Sequence, residues 1–102
     1  NAVLIRAIEP IKGINFMINR RKLKKKCYNI TNGPGKLSQA LGIDHGFNGM
    51  SLQKDTIWIE NNTIKIDKKN ILSSARIGVD YAKEDASLPY RFYFKNNKWV
   101  SK

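Results

Sequence analysis

Arg6 stands between Leu4 and Ile8 in an otherwise apolar stretch, and a guanidinium there is costly to bury unless a carboxylate or ordered water meets it. Glu9 points to the opposite face of an extended segment, so a natural partner is expected outside this sequence; otherwise Arg6 reaches the strand edge and extends into solvent. Gly78, within Ala75-Arg76-Ile77-Gly78-Val79, is the second unusual residue. Glycine weakens a strand and marks either a bulge or a place where a ligand approaches the backbone closely. Gly33-Pro34-Gly35-Lys36 lacks the Walker spacing, because Ile30 and Leu37 occupy the positions of the first Gly and of the Ser or Thr. It is either a helix amino terminus whose free N–H groups, with Lys36, make a generic anion site, or a pair of glycines shaping a turn. The run Arg20-Arg21-Lys22-Leu23-Lys24-Lys25-Lys26 suits phosphate contact, or else a solvated helix end complementing the helix dipole. His45 and Cys27 are the single histidine and the single cysteine. No nucleophile or second acid neighbours His45, no histidine neighbours Cys27, and together they cannot assemble the usual zinc sets. No metal and no cofactor is expected.

Few regular elements are needed to carry these groups. Ala2–Ile8 alternates as a strand that is apolar on both faces, ending at Glu9-Pro10. Ile14–Lys26 is expected as a helix, with Ile14, Met17 and Ile18 on one stripe, Phe16 and Leu23 nearly opposite, and a basic second half. Gly33-Pro34 opens a second helix with Leu37, Ala40 and Leu41 inward, and Gly42 ends it. Asp44–Met50 should be a surface loop anchored by Phe47. Ile57–Ile59 and Thr63–Ile66 are expected to pair as a hairpin across Asn61-Asn62. Asp67 is placed to cap a helical turn through Leu72, and Ala75–Val79 and Arg91–Phe94 should be core strands separated by an acidic stretch at Glu84 and Asp85. The fold class is α+β, one mixed domain over residues 1–102 with an antiparallel sheet and flanking helices.

Composition narrows the partners. With 102 residues, 41% hydrophobic and 10% aromatic, the chain has the material of one core. No apolar run approaches the roughly 20 residues of a membrane-spanning helix. A net charge of +11, from 19 Lys and Arg against 8 Asp and Glu, favours nucleic acid first and anionic membrane second. No secretory signal is visible at the amino end, where Asn1 opens directly into a strand-like segment, so an intracellular place is expected: cytoplasm or nucleoid in a bacterium, nucleus or organelle in a eukaryote. The two Asn-X-Thr sequons at Asn29 and Asn61 are taken as chance in an Asn-rich chain.

Four blocks, Val3-Leu4-Ile5-Arg6-Ala7-Ile8-Glu9-Pro10, Gly33-Pro34-Gly35-Lys36-Leu37-Ser38-Gln39-Ala40-Leu41-Gly42-Ile43, Ala75-Arg76-Ile77-Gly78-Val79 and Pro89-Tyr90-Arg91-Phe92-Tyr93, resemble the alkyladenine (3-methyladenine) DNA glycosylase family in order and spacing. Trp99-Val100-Ser101 closes the resemblance, which spans nearly the whole chain. It implies a monofunctional base-excision repair enzyme that flips an alkylated or deaminated purine from duplex DNA and hydrolyses its N-glycosidic bond, leaving an abasic site. It implies that Arg6 and the main-chain carbonyl of Ile77 hold the attacking water, and that Gly78 lies against the DNA or the flipped nucleotide. It also implies that Lys36, Arg21 and the loop residue His45 face DNA, although His45 departs from the basic residue of some members. The general base carboxylate, the wedge tyrosine and the aromatic that stacks on the base belong, in that family, to preceding sequence.

The chain is therefore expected to be the carboxy-terminal part of a glycosylase domain, monomeric, needing its amino-terminal half and inactive alone. Its partner would be duplex DNA carrying a damaged purine. One alternative is a non-catalytic basic DNA-binding module on the same scaffold. A weaker one is attachment to anionic membrane through the Lys run.

Overall fold

The computed structural model describes residues 2–61, 64–78 and 80–101. Its regular elements are two helices, α1 (Ile14–Arg20) and α2 (Pro34–Leu41), and two strands, β1 (Ile71–Ser74) and β2 (Arg91–Phe94), joined by turns and short 3-10 segments. The α+β class stands. The chain divides into two compact units, one drawn from residues 1–62 with 98–102 and the other from 63–97.

The first unit forms where the apolar stripes of α1 and α2 meet. Met17, Ile30, Ala40 and Trp99 are its buried centre, with Ile14, Ile18, Leu23, Cys27 and Leu41 packed around them. Trp99 brings the end of the chain into this core and takes the Tyr28 ring edge-on, centroids 4.7 Å apart. Each helix stops in the same way. After α1, the N–H of Lys22 donates to Asn19 O at 3.1 Å and that of Leu23 to Ile18 O at 3.0 Å, while Lys22 adopts a left-handed φ of 56°. After α2, Gly42 (φ 69°) donates to Gln39 O and Ile43 to Ser38 O. Both are Schellman turns, which satisfy the last carbonyls and place an apolar residue just beyond the helix back against it.

The α2 limits agree with the sequence reading, and the α1 limit corrects it. The helix expected to reach Lys26 ends at Arg20, because the left-handed turn at Lys22 returns Leu23 to the core and leaves Lys24–Lys26 outside helical geometry. Stacking the cations of this run on successive helical turns would also bring like charges together. Phe16 is not covered on a second side; it is 70% exposed.

Ala2–Ile8 is not a strand. Strand assignment requires a backbone ladder, and the hold on this segment is a local clamp instead. Ile8 N–H donates to Thr31 O at 3.3 Å, and the Thr31 hydroxyl donates to Ile8 O at 2.7 Å. Thr31 is fully buried beside Ile30. Thr31→Val keeps the shape and removes one donor, leaving Ile8 O without this partner. It is expected to lower stability by about 1–3 kcal/mol in urea denaturation, and a change near zero would contradict the clamp.

The second unit centres on the antiparallel pair β1–β2, in register Ile71 with Phe94, Leu72 with Tyr93, Ser73 with Phe92 and Ser74 with Arg91. Arg91–Phe94 is the strand expected there, but not a core one, since Phe92 and Phe94 are exposed. Its partner is Ile71–Ser74 rather than Ala75–Val79; Ala75–Gly78 is irregular, and Val79 lies outside the described residues. Asp67 does cap a helical turn, accepting from Lys69 N–H at 2.9 Å, but the turn ends at Asn70, since Ile71 and Leu72 have β propensity and enter the ladder. The acidic stretch expected between the strands is a 3-10 segment, Asp80–Ser87.

The expected hairpin is not formed by the described residues. Trp58 makes an isolated bridge to Gln53, with Ile59 N–H donating to Leu52 O at 3.0 Å, and Ile64–Ile66 are not strand. The hairpin's Asn62 and Thr63 lie outside the described residues. The Leu52–Ile59 closure takes up Trp58 and Ile59, two of the three residues that the expected hairpin would have used for its first strand. No described helix is long and apolar enough to cross a membrane.

Candidate nucleic-acid interface

Lys36 sits in the first turn of α2, exposed, its ammonium donating to Asn32 Oδ1 at 3.1 Å. The residue before the helix, Gly33, is extended and supplies no side-chain cap, and Pro34 has no N–H. The Gly35 and Lys36 amides therefore open the helix without a capping side chain, and a Cβ at Gly35 would meet nothing within 4 Å. Gly33 and Gly35 do not need left-handed backbone here, so the turn-shaping alternative has no conformational requirement behind it.

Arg21 occupies the C-cap of α1. Its Nε donates to Ile30 O at 3.1 Å, one terminal nitrogen to Asn29 O at 2.9 Å and the other to Gln39 Oε1 at 3.2 Å. The guanidinium thus ties the end of α1 to the loop and to α2, using three of its five donors. Its neighbour Arg20 donates to Ala40 O at 3.0 Å, a cation against the carbonyl end of a helix. The sequence reading missed this holding role for the first two cations of the run, whose partners lie 8 to 20 residues further along the chain.

These environments separate two substitutions. Arg21→Ala is expected to lower stability by about 1–3 kcal/mol, since the carbonyl of the buried Ile30 loses a charged donor. Lys36→Ala should leave stability nearly unchanged and reduce the slope of log affinity for duplex DNA against log salt by about 1. Urea denaturation and a salt titration of DNA binding measure the two effects. A Lys36→Ala slope equal to that of the parent would remove Lys36 from the interface.

His45 lies in a 3-10 turn, His45–Phe47, set by the Asp44 carboxylate accepting from Gly46 N–H at 2.9 Å. It is exposed, and Phe47 is half-buried as the loop's anchor. Arg6 is half-buried, two residues before the Thr31 clamp, and its Nε is buried with no hydrogen-bond partner among the described residues. A donor so placed is able to hold a water or an incoming acceptor.

Ile77 and Gly78 belong to the second unit. Gly78 has a left-handed φ of 69°, and a Cβ built there would meet nothing within 4 Å. Neither a strand nor a bulge explains it; a turn does. The preceding Arg76 places its guanidinium 5.5 Å from the centre of the Tyr90 ring and donates to Asp85 O at 3.4 Å. The guanidinium thus ties the residue two before Gly78 to Tyr90 and Asp85, a role no sequence pattern announced. Among the described residues, no three His, Cys, Asp or Glu side chains gather as a metal site would need.

The sequence matches the family model described as Methylpurine-DNA glycosylase over residues 1–98. A protein of Clostridium novyi (strain NT) named "Putative 3-methyladenine DNA glycosylase" is 47% identical over 99% of this chain and 52% of its own length. Proteins of the same name from Bacillus mycoides (strain KBAB4) and Clostridium perfringens (strain 13 / Type A) are 44% and 43% identical, each over 98% of this chain and 53% of its own. The chain spans about half the length of the curated relatives it matches.

Proposed function

The chain belongs to the methylpurine-DNA glycosylase family, and from that membership we propose that the whole protein hydrolyses the N-glycosidic bond of alkylated or deaminated purines turned out of duplex DNA. The observation that carries this reading is the family match over residues 1–98, which takes in all four sequence blocks and every residue assigned a role below.

Lys36, the amides that open α2, and Arg21's remaining donors grip phosphates and fix position without reading sequence. His45 lies on the loop that approaches the duplex. Gly78 offers a backbone without a Cβ to the DNA or the extruded nucleotide. By the family resemblance, Arg6 is assigned the attacking water, held through a guanidinium N–H, and the Ile77 carbonyl is assigned to accept from that water. As the bond from C1′ to the purine nitrogen breaks, the purine leaves with the bonding electron pair and the water oxygen bonds to C1′. The water's proton passes to a carboxylate. We assign that carboxylate to the half of the relatives' length that this chain does not match, so residues 1–102 are the DNA-gripping and water-holding part of one glycosylase domain.

The test is release of 3-methyladenine and of hypoxanthine from defined duplexes by a polypeptide of the relatives' length containing this sequence. Release of either from lesion-bearing DNA, with undamaged purines left in place, supports the reading. Release of neither rejects it and leaves a DNA-binding module.

A further inference from the structure

We propose that the groove beside α1 docks an acidic, amphipathic peptide segment of a partner protein. The groove, about 740 Å³, lies within the first unit, with Ile11, Ile14 and Phe16 among its apolar walls and Lys24, Lys25 and Lys26 among its cations. It exists because of the turn at Lys22 (φ 56°). Had α1 run on to Lys26, these lysines would point around a helix; the reversal instead sets all three along one groove with the exposed side of α1. Ile11 is 74% and Phe16 70% exposed, and no Asp or Glu lines the groove.

The lysines alone would accept any polyanion, DNA included. Phosphates have no use for the apolar wall, whereas a segment with carboxylates for the lysines and a Leu or Phe for Ile11 and Phe16 satisfies both halves. The recess favours inserted side chains over a flat bilayer, which engages a protruding apolar face. Phe16 has no part in the DNA contacts proposed above, so this inference stands apart from that reading.

Fluorescence anisotropy of a polypeptide of the relatives' length containing this sequence, with a short fluorescein-labelled peptide of alternating Glu-Glu and Leu-Phe pairs, tests it. Polyglutamate of equal length, an unlabelled DNA duplex and phosphatidylserine-containing vesicles serve as competitors. The peptide is expected to bind, and Phe16→Ser and Ile11→Ser are each expected to weaken it by about tenfold while leaving duplex affinity unchanged. Because both side chains are largely exposed, the two variants should fold as the parent does, and agreement between them guards against a folding defect in either. Lys25→Glu should weaken peptide binding in a salt-dependent manner. No peptide binding, polyglutamate competing as well as unlabelled peptide does, indifference to both Ser substitutions, or vesicles displacing the peptide would each overturn the proposal.

Discussion

Arg6→Ala, introduced into a polypeptide of the relatives' length, is expected to slow single-turnover release of a damaged purine by about 10²–10³-fold, the cost of removing one preorganised donor from a reaction centre. Duplex affinity should change by less than about threefold, because a single interior cation contributes little to the phosphate grip. The expectation rests on the position of Arg6: half-buried, two residues from the Thr31 clamp, with a buried Nε that has no hydrogen-bond partner among the described residues. Arg6→Lys keeps the charge and loses the planar fork, so it should recover only part of the rate. Urea denaturation of both variants separates a local effect from unfolding. Equal losses in release and in affinity would place Arg6 on the DNA-binding surface instead of beside the water.

Gly78→Ala is expected to lower release by about 10²-fold, as displacement of a bound nucleotide by about 1 Å would do. A left-handed alanine carries its own strain of about 1 kcal/mol, and a control must remove that contribution. Gly13 supplies one: its φ is 74° and a Cβ there meets only Phe16, at 4.0 Å. Gly13→Ala and Gly78→Ala should therefore destabilise the protein alike, while Gly78→Ala alone impairs release. Equal activities for the two variants would mean that Gly78 is needed for its turn and not for access to DNA.

What could be read from the sequence was local. Helix α2 was legible from end to end, because Gly33-Pro34 starts it and Gly42 stops it without help from distant residues. Arg91–Phe94 was legible through its aromatic and alternating pattern. Helix α1 was legible at Gly13 and not at its end, since the stop depends on a left-handed lysine held by two backbone hydrogen bonds and by the packing of Leu23. Ala2–Ile8 carries the pattern of a strand, and pattern does not supply the neighbouring backbone that makes one. Ala75–Val79 read as a strand because Ile77 and Val79 are β-branched; the left-handed Gly78 shows why the ladder belongs to Ile71–Ser74 instead.

The candidate site divides in the same way. Arg6 and Gly78 stood out by being out of place among apolar neighbours, and both are unusual in the structure. Arg21 stood out only as part of a charge run, and its ties to Asn29, Ile30 and Gln39 arise from packing that no run of cations encodes. Thr31 gave no signal because one hydroxyl between Ile30 and Asn32 is unremarkable until its partner, 23 residues earlier in the chain, is known.

The central proposal is a division of labour: these residues grip DNA and hold water, and the rest of a relative-length polypeptide supplies the base. Single-turnover release of hypoxanthine or an alkylated adenine from a defined duplex, run in parallel on the full-length polypeptide and on residues 1–102 alone, tests it most directly. The expected result is release by the full-length polypeptide and none by the segment, with salt-sensitive duplex binding by both. Release by the segment alone, at a rate like that of the full-length polypeptide, would contradict the proposal by placing the general base within these 102 residues.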